Sequence, residues 1–211
     1  MTRTSKGRRS RRNGRETRGR ILEVATSRFA AGGYEATSLR QIAAAAEIDL
    51  ATLKYHFGDK PSLYAKVYQE GHGRFLATIG PILTRMSDIA DVDAARAAID
   101  ELAREATAFI LAEQPFVRMY LYRLLEPEDH TAGVEKELQV SAVAMVQSTF
   151  SRLAALGIIR NVDAAALTLS LLTGLAMTVT AAVSRPEWLT SEPETNPDTQ
   201  ARLQSSLRDA L

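Results

Sequence analysis

The sequence has no cysteine, and this absence limits its chemistry before any motif is considered. A chain without cysteine forms no disulfide framework, no thiolate zinc site and no cysteine nucleophile. Its three histidines, His56, His72 and His130, do not have the spacing of a metal-binding pair. Neither an H-E-x-x-H pattern nor a phosphate-binding glycine loop occurs. We therefore expect a protein that is not an enzyme and that uses no metal and no cofactor.

Long apolar runs are also scarce, and the first residues contain no apolar segment of the kind that a secretory signal needs. The segment 164–183 is free of charge and as long as a membrane span. It is rich in alanine and threonine, which favour insertion far less than leucine does, and small residues let two helices approach closely. We therefore favour a buried interface helix over a membrane span for this segment. We expect no membrane partner and a cytoplasmic location, at the nucleoid when DNA is bound.

Acidic residues are nearly absent from the first 20 positions, whereas basic residues are crowded there. Residues 1–20 hold nine of the 26 basic residues and one of the 25 acidic ones, so this segment carries +8 and the remainder −7. Clustered arginine attracts polyanions through the release of counterions. A solubilising tail is the alternative interpretation of the same composition. On either interpretation we expect residues 1–14 to form a disordered basic arm.

From Arg18 onward, apolar residues recur at helical spacing and no long run has the period of a strand, which predicts an all-α chain. Glycine, proline and capping residues divide it into segments. We expect Gly80-Pro81 to break the fourth helix, and a short last helix to follow a polar loop at 191–199. The expected helices cover about 18–31, 39–46, 50–57, 59–79, 82–89, 93–113, 115–126, 133–156 and 163–184.

Two of these helices are short and are joined by a tight turn, which is typical of a helix-turn-helix whose second helix enters the major groove of DNA. Leu53 and Phe57 share one face of the second helix and are expected to point to the core. A hydroxyl, a methyl and a phenol would then lie outward, near a helix N-terminus that favours phosphate or base acceptors. These outward residues are Ala51, Thr52 and Tyr55, flanked by Lys54 and His56.

The run Gly33–Ala43, followed by Thr52–Lys60 and Leu63, resembles the DNA-binding domain of the TetR family of bacterial transcription regulators. The resemblance implies a three-helix DNA-binding domain over 15–75 and a helical ligand-binding and dimerisation domain over 76–211. It also implies a sequence-specific regulator, usually a repressor, that leaves its operator when a small molecule binds. The implied partners are double-stranded operator DNA, a second copy of the chain and a small-molecule ligand of unidentified class.

Carried over position by position, the resemblance assigns a base or phosphate contact to Arg40 and a phosphate contact to Lys60. The alternative is that these are solvated surface charges and that Thr37 is only a helix cap. The full set of implied DNA contacts is Thr17, Arg18, Thr37, Ser38, Arg40, Leu50, Ala51, Thr52, Lys54, Tyr55, His56 and Lys60.

Two residues depart from the family's pattern. Glu47 occupies the turn position where the family usually has glycine, so this residue must adopt a positive φ or the turn must widen. Lys54 replaces the usual tyrosine, which shifts that contact toward phosphate or guanine.

The C-terminal half contains aromatic and methionine side chains that could line an apolar ligand cavity with a few polar anchors, or could simply fill the core. The candidate pocket residues are His72, Phe75, Ile79, Arg104, Phe109, Phe116, Met119, Tyr120 and Arg123. By resemblance, the helices 133–156 and 163–184 pair with their copies to give the two-fold symmetry of a palindromic operator. The candidate dimer residues are Leu138, Ala142, Met145, Leu153, Leu171, Leu175 and Thr178.

Two other classes of function compete with a specific regulator. One is a helical scaffold whose helix-turn-helix contacts protein, and the other is a nonspecific nucleic-acid binder driven by the basic arm. Deletion of residues 1–14 distinguishes them, because specific binding survives it with a shallower salt dependence and arm-driven binding does not.

Overall fold

The computed structural model describes residues 4–125, 133–159, 170, 173–178 and 180–181. Over this part of the chain the regular structure is entirely helical, with no strand, so the all-α prediction is confirmed. Its helices are α1 Thr4–Gly32, α2 Leu39–Ala45, α3 Leu50–Phe57, α4 Lys60–Met86, α5 Val92–Ala112, α6 Gln114–Leu125 and α7 Val134–Ala155. The expected helix 163–184 lies largely outside the described residues, and the short last helix lies entirely outside them. Among the described helices, none is both long enough and apolar enough to cross a bilayer.

The chain divides into two compact units. The first comprises Met1–Glu70 and Arg118–Glu135, and the second comprises Gly71–Val117 and Lys136–Leu211. The helix α4 contributes to both, and the division inside it falls between Glu70 and Gly71, a few residues before the expected boundary at 75. No local pattern predicts that 118–135 joins the N-terminal unit.

In the first unit, α1 packs against α2 and α2 against α3. The inner face of α1 buries Ile21, Ala25 and Phe29, as its periodicity predicts. Phe29 meets the rings of Tyr34 and Tyr64 at centroid distances of 6.1 and 4.8 Å, and the two tyrosines meet edge to face at 4.9 Å. Each such pair contributes about 0.5–1.5 kcal/mol beyond its buried area. This aromatic cluster ties α1, the α1–α2 loop and α4 together.

The start of α1 differs from the prediction. The helix begins at Thr4, so the backbone of 4–14 is helical where the sequence predicted a disordered arm. Extending a helix that is already anchored by packing needs no new nucleus, and arginine is a good helix former. The high charge that indicated disorder therefore does not prevent the helix from continuing outward.

The expected break of α4 at Gly80-Pro81 is absent, because the helix runs through both residues and ends at Met86. A proline inside a helix costs about 3 kcal/mol, since it removes a backbone hydrogen bond and crowds the preceding turn. Burying an aliphatic side chain fully contributes about 1.5–3 kcal/mol. Packing on both sides of the proline therefore outweighs its cost. The apolar residues buried around it are Ile79, Ile82, Leu83 and Met86.

The core of the second unit also includes Val146, Phe150 and Leu153 from α7. The helix ends before Gly157, whose φ is 71°, and the N–H of Ile158 donates to the carbonyl oxygen of Leu153 at 3.0 Å. A glycine in this conformation is the usual C-terminal cap of a helix. Leu153 is fully buried in this core, which corrects its assignment to the dimer interface. Met145 on the same helix is exposed, so these two candidate dimer residues have different environments.

Candidate nucleic-acid interface

The helix α2 begins with a capping box. Ser38 is the N-cap of this helix. The hydroxyl oxygen of Ser38 accepts from the N–H of Gln41 at 3.3 Å, and the N–H of Ser38 donates to Gln41 Oε1 at 2.8 Å. Thr37 is instead buried, and its hydroxyl donates to the carbonyl oxygen of Gly33 at 2.8 Å. Ser38 thus remains exposed, whereas Thr37, a predicted DNA contact, belongs to the core.

The turn between α2 and α3 is a Schellman motif with glutamate where glycine is usual. The N–H of Glu47 donates to Ala44 O at 3.2 Å, and the N–H of Ile48 donates to Ala43 O at 3.0 Å. Glu47 adopts a φ of 53°, one of the two outcomes that the sequence allowed. A non-glycine residue in this region costs about 1–2 kcal/mol. The turn therefore keeps its tight geometry at the expense of backbone strain.

The helix α3 begins at an aspartate cap, Asp49. The N–H of Thr52 donates to Asp49 Oδ1 at 2.6 Å, and the hydroxyl of Thr52 donates to Asp49 Oδ2 at 3.1 Å. These two hydrogen bonds, first the backbone one, lower the pKa of Asp49 below its usual value. The ionised carboxylate therefore holds both donors of Thr52, its N–H and its hydroxyl, at the start of the helix.

The side chains of α3 divide between core and solvent as the periodicity predicts. Leu53 is fully buried and Phe57 is nearly so, whereas Tyr55 is 85% exposed. The ring of Tyr55 contacts that of His56 edge to face, at a centroid distance of 5.3 Å. Ala51 and Lys54 are exposed on the same side, and Leu50, Thr52 and His56 are partly exposed.

Two cations of the first unit have different environments. Arg40 on α2 is exposed. The Lys60 ammonium lies 4.0 Å from the ring centroid of Tyr34 and donates to the carbonyl oxygen of Glu35 at 3.4 Å. Cation–π contacts at such exposed sites are worth about 0.5–1 kcal/mol. Lys60 thus connects the start of α4 to the α1–α2 loop through two contacts, whereas the side chain of Arg40 is exposed to solvent.

Arg18 contacts two other elements of the first unit. Its guanidinium donates to Glu70 Oε1 at 3.0 Å and lies 5.1 Å from the ring centroid of Phe57. Arg18 therefore bridges α1, the end of α3 and α4, and it is only partly exposed, as is Thr17. The sequence did not predict the role of Glu70, because 52 positions separate it from Arg18 and no local pattern links the two.

The candidate pocket residues are distributed over both units. In the second unit, Phe75 and Phe109 meet at a centroid distance of 5.2 Å, and Phe109 and Phe116 meet edge to face at 6.3 Å. His72 on α4 is buried, whereas Arg104 is exposed and is therefore no interior anchor. Ile79 lies in the core of the second unit. The remaining three candidates belong to the first unit, where Met119 is buried and Tyr120 and Arg123 are partly buried. In the part of the chain that the structure describes, no group of three potential metal ligands occurs.

The candidate dimer residues are less completely described. Met145 is exposed on α7, Leu175 is buried and Thr178 is partly buried. The side chains of Leu138, Ala142 and Leu171 lie outside the described residues.

Comparison with known proteins supports the resemblance seen in the sequence. Residues 21–67 match the model of the family described as bacterial regulatory proteins, tetR family. The HTH-type transcriptional regulator AcrR of Shigella flexneri is 36% identical over 62 residues, which cover 29% of this chain and 29% of that protein. The chain thus matches less than a third of the length of this relative.

Solved structures extend the likeness of fold beyond this segment. The fatty acid degradation regulator FadR of Bacillus halodurans has a TM-score of 0.67 at 18% identity, covering 92% of this chain and 98% of that one. AibR, solved in complex with isovaleryl coenzyme A and operator DNA, has a TM-score of 0.66 at 20% identity, covering 92% and 97%. At these identities the likeness shows the fold: an N-terminal helix-turn-helix domain followed by a helical C-terminal domain.

Proposed function

We propose that this chain, which belongs to the tetR family of bacterial regulatory proteins through its N-terminal domain, is a sequence-specific DNA-binding transcription regulator. It acts as a homodimer in the cytoplasm, represses from an operator, and releases that operator when a small molecule binds its C-terminal domain. It is not an enzyme.

The outward face of α3 carries this proposal. Tyr55 is 85% exposed at the centre of this face, and Ala51 and Lys54 flank it on the same side. The phenol hydroxyl, the methyl and the ammonium match three kinds of feature at major-groove base edges: acceptors, thymine methyl groups and guanine. Leu53 and Phe57 hold the opposite face in the core, so the outward side chains have a fixed register.

Phosphate contacts around this face come from the neighbouring elements. Arg40 and Ser38 at the start of α2 are exposed, and the ammonium of Lys60 lies at the start of α4. The +8 charge of residues 1–20 adds a sequence-independent attraction that high salt weakens. Thr37 is left out of the interface because it is buried. Arg18 contributes by holding α3 through Phe57 and Glu70.

The ligand half of the proposal is supported by the aromatic residues of the second unit and by the family. Phe75, Phe109 and Phe116 form a continuous run of rings, and His72 adds a buried titratable group. AibR, which shares the fold, binds both operator DNA and isovaleryl coenzyme A. Acyl-coenzyme A thioesters are therefore the first ligands to test here. We place the ligand among the α4, α5 and α6 residues of the second unit.

Selection from random duplexes tests the function. The full chain should enrich a two-fold symmetric site whose half-sites are about one helical turn, 34 Å, apart. A panel of acyl-coenzyme A thioesters of increasing chain length should then lower the affinity for that site, measured by fluorescence anisotropy. Enrichment of no sequence would contradict specific recognition. Binding that disappears when residues 1–14 are deleted would instead support the nonspecific binder.

A further inference from the structure

The start of α3 differs from an ordinary anion-binding helix N-terminus. Free N–H groups there would attract a DNA phosphate. In this chain a carboxylate of the chain itself already lies there, because Asp49 Oδ1 accepts from the N–H of Thr52 at 2.6 Å. A second anion at the same place would be repelled by the first. Asp49 thus disfavours phosphate at this end of α3, although α3 is the helix proposed to lie in the groove.

The same carboxylate fixes the hydroxyl proton of Thr52. A threonine hydroxyl has one proton to donate and two lone pairs that accept. An ionised carboxylate only accepts, so in the 3.1 Å contact between Thr52 Oγ1 and Asp49 Oδ2 the proton lies between the two oxygens. The remaining lone pairs of Thr52 Oγ1 are left for an external donor. The low pKa of Asp49 keeps this arrangement throughout the neutral range.

We propose that Thr52 is a specificity-determining residue that acts only as a hydrogen-bond acceptor, because Asp49 holds its hydroxyl proton. In the major groove the donors are the amino groups of adenine and cytosine, whereas guanine and thymine present acceptors. Thr52 therefore favours adenine or cytosine on the strand that it faces and disfavours guanine or thymine there. This inference rests on the proposed function, since it needs α3 to lie in the groove.

The variant Asp49→Asn reverses the polarity of this contact while keeping the cap. Asparagine is as good an N-cap as aspartate, and its carbonyl oxygen can still accept from the N–H of Thr52. Its amide nitrogen, which replaces Oδ2, donates to Thr52 Oγ1, so the threonine proton is released toward the DNA. Thr52 can then donate while one lone pair still accepts, so guanine and thymine should become acceptable on the same strand and the preference for adenine or cytosine should be lost.

A matched control exists at the start of α4. Asp59 Oδ1 accepts from the N–H of Ser62 at 2.9 Å, and the pKa of Asp59 is lowered by the side chain and the N–H of Ser62. The variant Asp59→Asn therefore removes the same charge from an equivalent cap on another helix. Loss of one negative charge alone changes the affinity for all duplexes alike. The readout is therefore base preference and not affinity.

The experiment is selection from random duplexes with the wild-type chain and with the Asp49→Asn, Asp59→Asn and Thr52→Val variants, followed by titration of the enriched sites. At one position in each half-site, Asp49→Asn should raise the affinity for the guanine/thymine class relative to the adenine/cytosine class by about tenfold, which removes the wild-type preference. Thr52→Val should remove the preference at that position, and Asp59→Asn should leave it unchanged.

Three results would overturn the inference. If the wild-type chain enriches no site, the proposed function fails together with it. If the wild-type chain enriches a symmetric site and Asp49→Asn or Thr52→Val keeps the same base profile, the function stands and the role of Thr52 is refuted. If Asp49→Asn only raises the affinity for every duplex, Thr52 does not read a base.

Discussion

Gly71 offers a severe test of the packing in the second unit. A Cβ atom at this position of α4 would stand 2.1 Å from Cδ2 and 2.3 Å from Cε2 of Phe116. Carbon atoms prefer a separation of about 3.5–4.0 Å, so the buried ring would have to retreat by roughly 1.4 Å. Overpacking of this kind costs about 1–3 kcal/mol, against a gain of up to about 1 kcal/mol from replacing a helical glycine by alanine. We expect Gly71→Ala to lower the free energy of unfolding by about 2 kcal/mol.

Gly73 is the matched control for this variant. It lies on the same helix, is exposed, and a Cβ added there meets nothing within 4 Å. Gly73→Ala should therefore stabilise the chain by up to about 1 kcal/mol. Urea denaturation followed by far-UV circular dichroism measures both variants. In a double-mutant cycle, Phe116→Leu should cost less in the Gly71→Ala background than in the wild type. A Gly71→Ala variant as stable as Gly73→Ala would refute the close approach of α4 and α6.

Three further predictions concern the first unit. Glu47→Gly should raise the free energy of unfolding by about 1 kcal/mol in denaturant titrations, because it removes the positive-φ strain. Glu47→Ala should not raise it, and equal stabilities of the two variants would contradict the strain. Arg18→Ala should lower stability by no more than about 1 kcal/mol, since its pair with Glu70 is about one-third exposed, and should weaken DNA binding without changing the salt slope. A slope reduced by about 1 would instead identify Arg18 as a phosphate contact. The lowered pKa values of Asp49 and Asp59 stabilise the fold above their unfolded value of 3.8, and this contribution is lost as pH falls through the folded pKa. The Asp49→Asn/Asp59→Asn double variant should thus lose less stability than the wild type between about pH 5 and pH 2, and equal losses would count against this role.

Local signals made much of the candidate interface predictable. Asp49 and Ser38 are capping residues at the start of apolar-periodic segments, and the spacing of Leu53 and Phe57 determines which face of α3 points outward. Even the positive φ of Glu47 was one of two alternatives readable from the missing glycine.

Long-range packing explains what could not be predicted. Pro81 predicts a helix break, yet α4 continues because the residues next to Pro81 are buried against residues of α5 and α7. Nothing local pairs Arg18 with Glu70 or places Phe116 against Gly71. Thr37 looks like a surface cap, but its hydroxyl is satisfied inside the α1–α2 loop. In each case a residue distant in sequence, or the backbone of a folded loop, decides the outcome.

The most direct test of the account is the ratio of affinities for the enriched site and for a scrambled duplex, measured for the wild-type chain and two tyrosine variants. Tyr55→Ala removes the exposed phenol of α3, and Tyr122→Ala removes a tyrosine of α6 that is 44% exposed. If α3 reads the groove, Tyr55→Ala lowers the ratio by about tenfold or more while Tyr122→Ala preserves it. An unchanged ratio for Tyr55→Ala would contradict the claim that this face recognises DNA sequence.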